Sequence, residues 1–159
     1  MQNPKVASHG IEMATFSAQV SSWVAETRAR IDAVARQSAQ DVIEETRKPR
    51  SRGGRMRYDT GFLASSLMAS TASMPNIKNG NRPDAGGSYS PDSGQVSLVI
   101  AGWNVGEPLY AGFTADYALH REYGSNGQAG DAFVRSAAMR WQEFVSKNAR
   151  ELKRRSTGF

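Results

Sequence analysis

The chain contains no cysteine, only two histidines and no long apolar run. Without cysteine it has no disulfide, no thiolate nucleophile and no sulfur ligand for a metal, and it suits a reducing compartment. The longest strongly apolar stretch lies at about residues 98–103, and residues 1–20 lack the pattern of a secretory signal. We therefore expect neither a signal peptide nor a membrane span.

Groups that perform acid–base or metal chemistry are also scarce. His9 lies in a segment expected to be mobile, and His120 is expected to pack or hydrogen-bond within its own segment. Glu44 and Glu45 would point about 100° apart on a helix, so they cannot act as a catalytic carboxylate pair and are expected on a solvated face. The glycines around Gly86 lack the spacing of a phosphate-binding loop. We expect no catalytic residue, no metal, no cofactor and hence no enzyme.

The three tryptophans are better suited to packing than to stacking on nucleic-acid bases. Trp23 and Trp141 fall on apolar stripes with helical spacing, and Trp103 ends an apolar run. An aromatic ring in such a pattern usually covers a core. We therefore expect all three in the core.

The length of 159 residues suits a single domain with one core. An apolar fraction of 39% is low for a globular domain, so part of the chain must form extended loops. We expect a flexible N-terminal arm at 1–13, one domain at 14–155 and a short tail at 156–159.

The first periodic segment, about residues 14–46, predicts one long amphipathic helix. Its apolar residues recur at steps of three and four, with Thr27 and Ser38 completing the stripe. About 30 helical residues extend roughly 45–50 Å, more than the width of so small a domain. We expect this helix to carry spare apolar surface that a neighbouring subunit could cover.

A basic segment at 47–58 follows the helix, which should end at Lys48 because Pro49 disfavours the helical conformation before it. Gly53 and Gly54 favour a flexible loop. Six basic residues in this loop are candidates for contact with DNA or an acidic partner: Arg47, Lys48, Arg50, Arg52, Arg55 and Arg57. A second basic cluster lies near the C-terminus, at Arg150, Lys153, Arg154 and Arg155.

The middle of the chain predicts short elements around a long loop. Thr60 is a candidate N-cap for a short helix, and a strand is expected at 67–73. Residues 74–94 are rich in proline, glycine and polar residues, which predicts an extended loop. The segments 95–103 and 109–113 have the composition of paired strands.

A last periodic segment begins at Asp131, which is expected to cap a helix of about twenty residues or more. The predicted fold is therefore α+β, with the long N-terminal helix and the C-terminal helix packed on a small antiparallel β-sheet.

The chain contains three short motifs, at residues 59–67, 117–124 and 132–137. Together they resemble those of the neck or tail-completion (head–tail joining) protein family of lambdoid long-tailed bacteriophages. Residues 59–67, DTGFLASSL, resemble the family's DTG-x-L-x-x-S pattern. Residues 117–124, YALHREYG, are similar to YA-x-x-x-E-x-G, and residues 132–137, AFVRSA, are similar to PF-x-x-x-A with Ala132 in place of proline. The positions that carry the resemblance are Asp59, Gly61, Leu63, Tyr117, Glu122, Gly124 and Phe133.

The resemblance implies a structural virion protein that joins or completes the head–tail connection through ring-forming protein contacts, and no reaction. Its implied partners are further copies in a ring of six or twelve, the adjoining head–tail connector, and tail terminator or tail tube proteins, with packaged double-stranded DNA as a further candidate. The implied location is the virion neck, and the host cytoplasm during assembly. An alternative from the charge pattern is a basic accessory protein that contacts nucleic-acid phosphates through the arginine-rich loop.

Overall fold

The computed structural model describes residues 5–158, with side chains from residue 15 onward. The chain divides into two compact units, Met1–Ala33 and Val34–Phe159. Helix α1, Lys5–Thr46, begins earlier than the sequence pattern predicts and includes residues 5–13 of the expected arm. The remaining arm residues, 1–4, lie outside the described residues, as does the side chain of His9.

The first unit contains the N-terminal part of α1 and, from residue 15 onward, exposes its large apolar side chains. Phe16 and Trp23 are 65% and 66% exposed, and Val20, Val24 and Ile31 are also exposed. The prediction that Trp23 packs in the core is wrong. We call the helix face formed by Phe16, Val20, Trp23, Val24, Thr27 and Ile31 the apolar stripe.

The second unit is an α+β structure, as predicted. Helix α2, Phe62–Ser65, leads into strand β1, Leu67–Ser70, which pairs antiparallel with β2, Tyr110–Phe113. Residues 71–93 form the expected long loop without helix or strand. The core is built from side chains of α1, α2, both strands and the later helices, among them Ile43, Met56, Leu63, Leu67, Val96, Ile100, Phe113 and Phe133.

Residues 95–103 were predicted as a strand but form helix α3, Gly94–Gly102. Val96 and Ile100 are buried one helical turn apart, so the apolar run covers the core from one helix face. The Gln95 side chain accepts a hydrogen bond from Ala69 N at 3.0 Å and donates one to Ala69 O at 2.8 Å. It therefore satisfies the edge of β1 where a third strand would have paired.

The C-terminal part contains four short elements before the last helix. Helix α4, Ala118–Tyr123, is followed by the small hairpin of β3, Gly124–Ser125, and β4, Gln128–Ala129. Helix α5, Phe133–Met139, and helix α6, Trp141–Ser156, replace the single helix that was predicted. The helices are separated at Arg140, whose side chain pairs with Glu45 of α1 at 2.7 Å.

The tryptophans of the second unit differ in their environments. Trp103 is partly buried against the core, as predicted, and its indole N–H donates to Glu107 O at 2.8 Å. Trp141 is 41% exposed, so its predicted place in the core is wrong. Phe144, one turn further along α6, is buried in its place.

Gly53 and Gly61 have nearly the same backbone angle, but only Gly61 lies close to another part of the chain. Comparing them distinguishes the cost of backbone strain from the cost of a steric collision. Gly53 and Gly61 have φ of 82° and 81°, but only a Cβ at Gly61 would collide with neighbouring atoms, the carbonyl group of Tyr89. We expect Gly53→Ala to lower the free energy of unfolding by about 1 kcal/mol, from backbone strain alone. Gly61→Ala should lower it by about 3 kcal/mol or more, because the Tyr89 loop must also move.

Chemical denaturation of both variants measures this difference. Equal losses of stability would contradict the close approach of the Tyr89 loop to the turn at Gly61.

Candidate interaction surfaces

The basic segment is folded, in contrast to the predicted flexible loop. It contains a 3₁₀ turn at Arg50–Arg52, and Pro49 and Met56 form a β-bridge. Met56 is completely buried, which anchors the segment in the core. The arginines of the basic segment therefore have defined positions.

Arg47 is one of the buried residues of this segment, with a side chain only 3% exposed. It donates to both carboxylate oxygens of Glu44 and, at 2.6 Å, to Ser93 Oγ. Burial by itself would raise the pKa of Glu44, but the hydrogen bonds and charge of Arg47, with bonds from Ser93 and Gln40, lower it. Glu44 is thus an ion-pair partner of Arg47, although its own side chain remains 41% exposed.

The next glutamate, Glu45, is also engaged. It pairs with Lys48 at 3.7 Å and with Arg140 at 2.7 Å, and its side chain is 18% exposed. The predicted solvated face is therefore wrong for Glu45, which Lys48 and Arg140 cover. Glu44 keeps a side chain that is 41% exposed, so the prediction agrees with its exposure.

Asp131 forms ion pairs with two further arginines of the basic segment. Its side chain is fully buried and accepts hydrogen bonds from Arg50 Nη2 at 3.1 Å and Arg57 Nε at 2.6 Å. Arg121 Nε lies 4.0 Å from the second carboxylate oxygen, Asp131 Oδ2. A buried carboxylate needs such partners because an unpaired buried charge is costly. Asp131 is therefore the centre of an ion-pair cluster and not the predicted helix cap.

Arg52 and Arg55 are the two remaining basic residues of the segment, and both are exposed. The six candidate contacts with DNA or an acidic partner are thus not equivalent. Four of them pair with acidic side chains of the chain, namely Arg47, Lys48, Arg50 and Arg57. Pairing does not bury all four, because the Arg50 side chain is still 55% exposed.

A polar groove of about 720 Å³ lies beside this segment, with charges of both signs along its walls. Arg47, Arg52 and Lys147 line it together with Asp41 and Glu44. The acidic side chains reduce its attraction for a polyanion.

The helix cap that Asp131 was expected to provide comes from Glu122. Its carboxylate accepts hydrogen bonds from the backbone N–H groups of Val134 at 2.8 Å and Arg135 at 3.1 Å. It also pairs with the Arg135 guanidinium at 3.1 Å. Negative charge is favourable at this end of a helix, so Glu122 both caps α5 and links it to α4.

The other residues of the family resemblance also have structural environments. Leu63 and Phe133 are buried, and Phe133 packs edge-on against Phe113 with ring centroids 5.1 Å apart. Tyr117 packs against the core, and burial raises the pKa of its hydroxyl. At Gly124, φ is 92° and a Cβ would collide with Gln128 O. Asp59 is exposed.

An apolar groove of about 440 Å³ lies between the sheet, α4 and the start of the long loop. Met74 and Ile77 from the loop, Leu119 and Tyr123 from α4, and Val134 from α5 line it and remain exposed. These residues come from three separate elements, the long loop, α4 and α5. Sequence reasoning missed the groove because no local pattern joins them.

His120 is exposed on α4, so packing, one of the two roles expected for it, is not observed. Within the described part of the chain, no three metal-ligating side chains are arranged to hold a metal ion. Across residues 5–158, no helix is both long and apolar enough to cross a membrane.

The ion-pair cluster can be tested through Asp131→Asn. Loss of the buried charge should lower the free energy of unfolding by about 3 kcal/mol, since Arg50 and Arg57 lose their shared partner. Asp59→Asn is the matched control at an exposed aspartate and should change it by less than about 0.5 kcal/mol. Similar values for the two variants, measured by denaturant titration, would contradict the cluster.

The division of the arginines predicts different effects on DNA binding. Arg52→Ala combined with Arg55→Ala should reduce the slope of log K for duplex DNA against log salt by at most about 2, with unchanged thermal stability. Arg47→Ala combined with Arg57→Ala should leave the slope unchanged and lower the melting temperature. The assignment would be wrong if the second pair weakened DNA binding as strongly as the first while the protein remained folded.

Comparison of this chain with protein-family models, with curated proteins and with solved structures found no match. The family resemblance therefore stands on the three motifs alone, and function has to be argued from the surfaces described above.

Proposed function

We propose that this protein is a structural component of a bacteriophage neck, which joins or completes the head–tail connection through ring-forming protein–protein contacts. The observation that carries the proposal is the presence of two separate uncovered apolar surfaces. One is the apolar stripe, represented by Phe16 and Trp23, and the other is the apolar groove near Leu119 and Tyr123. Apolar surfaces of this kind mark sites of protein contact.

Two different surfaces suit a subunit that assembles with several neighbours. A ring needs a heterologous contact, in which one surface of a subunit binds a different surface of the next. The adjoining connector and the tail terminator or tail tube would occupy further surfaces. Both uncovered surfaces are accessible on a single copy, so partners can add without unfolding of the core.

The residues of the family resemblance support the proposal because their environments are structural. Glu122 caps a helix, Gly61 and Gly124 form tight corners, and Leu63 and Phe133 fill the core. A family that assembles through shape would depend on such residues to hold its fold. We accordingly propose a non-enzymatic role, at the virion neck and in the host cytoplasm during assembly.

The alternative role as a nucleic-acid-binding accessory protein has less support. Arg47, Arg50 and Arg57 are engaged with carboxylates of the chain itself. Arg52 and Arg55 are left to contact packaged DNA or an acidic neighbouring ring, and two phosphate contacts contribute little affinity at physiological salt.

Electron microscopy of particles assembled from the genome that encodes this chain tests the proposal. With a tag appended after residue 159, we expect the label at the head–tail junction of every particle. A label on the capsid shell, at the distal end of the tail, or absent from purified particles would overturn the proposal. Untagged particles processed identically provide the control.

A further inference from the structure

The intervals between the residues of the apolar stripe are the same whether they are counted from its N-terminal or its C-terminal end. Its members Phe16, Val20, Trp23, Val24, Thr27 and Ile31 follow at steps of four, three, one, three and four residues. At 100° per residue they occupy one face about 100° wide. The midpoint falls between Trp23 and Val24.

This symmetry makes the stripe complementary to itself. If a second copy lies antiparallel with the two-fold axis at the midpoint, Phe16 lies level with Ile31, Val20 with Thr27, and Trp23 with Val24. Each stripe residue therefore meets another stripe residue. An isologous two-fold contact requires this kind of self-complementary patch.

The charges of the helix favour the antiparallel arrangement. Residues 15–25 contain no charged side chain, whereas Glu26, Arg28, Arg30 and Asp32 follow within the next helical turns. In a parallel pair in register, each charge would lie level with the same charge of the other copy. In the antiparallel pair each charged residue lies level with an uncharged polar residue, and the helix dipoles oppose one another.

The polar member of the stripe is prepared for burial. Thr27 Oγ1 donates to Trp23 O at 2.8 Å, so its hydroxyl has a partner inside its own helix. Covering this position would not leave an unsatisfied hydroxyl, and the methyl group of Thr27 can pack against Val20 of the second copy.

We propose that two copies of this protein pair through residues 15–31 of α1, antiparallel and around a two-fold axis between Trp23 and Val24. A covered aromatic side chain buries roughly 150–250 Å², so the two exposed aromatics contribute roughly 200–300 Å² per copy. The three aliphatic residues add to this, but the total stays below the roughly 800 Å² per partner of a standard interface. The dimer is therefore weak and concentration-dependent.

The pairing goes beyond the proposed role in the neck and does not depend on it. A two-fold contact closes on itself and cannot by itself build a ring of subunits. It belongs to the free protein, where it covers the apolar stripe before other partners are present.

Cysteine cross-linking tests both the pairing and its direction, because the chain contains no native cysteine. Val24→Cys lies beside the proposed axis and should form a disulfide-linked dimer under mild oxidation. Two copies of Phe16→Cys should not, because they lie about 22 Å apart along an antiparallel pair. The double variant Phe16→Cys, Ile31→Cys should cross-link. Cross-linking of Phe16→Cys by itself would indicate a parallel pair and overturn the proposal.

Sedimentation of the otherwise unmodified chain measures the strength of the pairing. Trp23→Glu should raise the dimer dissociation constant at least tenfold. Leu98→Glu, at a leucine of α3 that is 75% exposed, is the matched control and should leave it unchanged. A monomer at all concentrations, or equal weakening by the two variants, would overturn the proposal, and circular dichroism verifies that each variant keeps its helical content.

Discussion

The interaction on which the second unit depends most is the ion-pair cluster around the buried carboxylate of Asp131. It brings together the basic segment, through Arg50 and Arg57, and the end of α4, through Arg121. Its own backbone N–H donates to Arg121 O at 2.6 Å, which orients the turn before α5. A fully buried negative charge is tolerated only with such partners, so the three segments have to meet at this point.

Glu122 performs a second task on the neighbouring side of the same turn. By accepting the N–H groups at the start of α5, it leaves Asp131 available for the arginines. The two acids thus divide the roles of helix cap and ion-pair centre. Arg50 and Arg57 of the basic segment therefore have a carboxylate partner within the chain.

Several elements could be predicted from local sequence. The periodic apolar residues of α1, the strands β1 and β2, and the long loop were all found in this way. The prediction for α3 was wrong because a short apolar run such as Val96 to Ile100 suits a strand or a buried helix equally well. Gln95, which occupies the edge of β1, decided between them, and its partner Ala69 lies far away in the sequence.

The same holds for the candidate surfaces: one could be predicted from residues near each other in the sequence, and the other could not. The apolar stripe can be read from the sequence because helical spacing alone places its residues on one face. The sequence could not predict that Phe16 and Trp23 are exposed while Phe144 is buried. Burial depends on which elements pack together in space. The apolar groove was missed for the same reason.

The sequence by itself determined the long first helix, the absence of cysteine chemistry and the position of the arginine-rich segment, because these depend on composition and on neighbours within a few turns. Only the tertiary structure decided which arginines have partners within the chain. Their partners Glu44, Ser93 and Asp131 lie from three to more than eighty residues away, and the free energy of a charge depends on what surrounds it in space rather than along the chain.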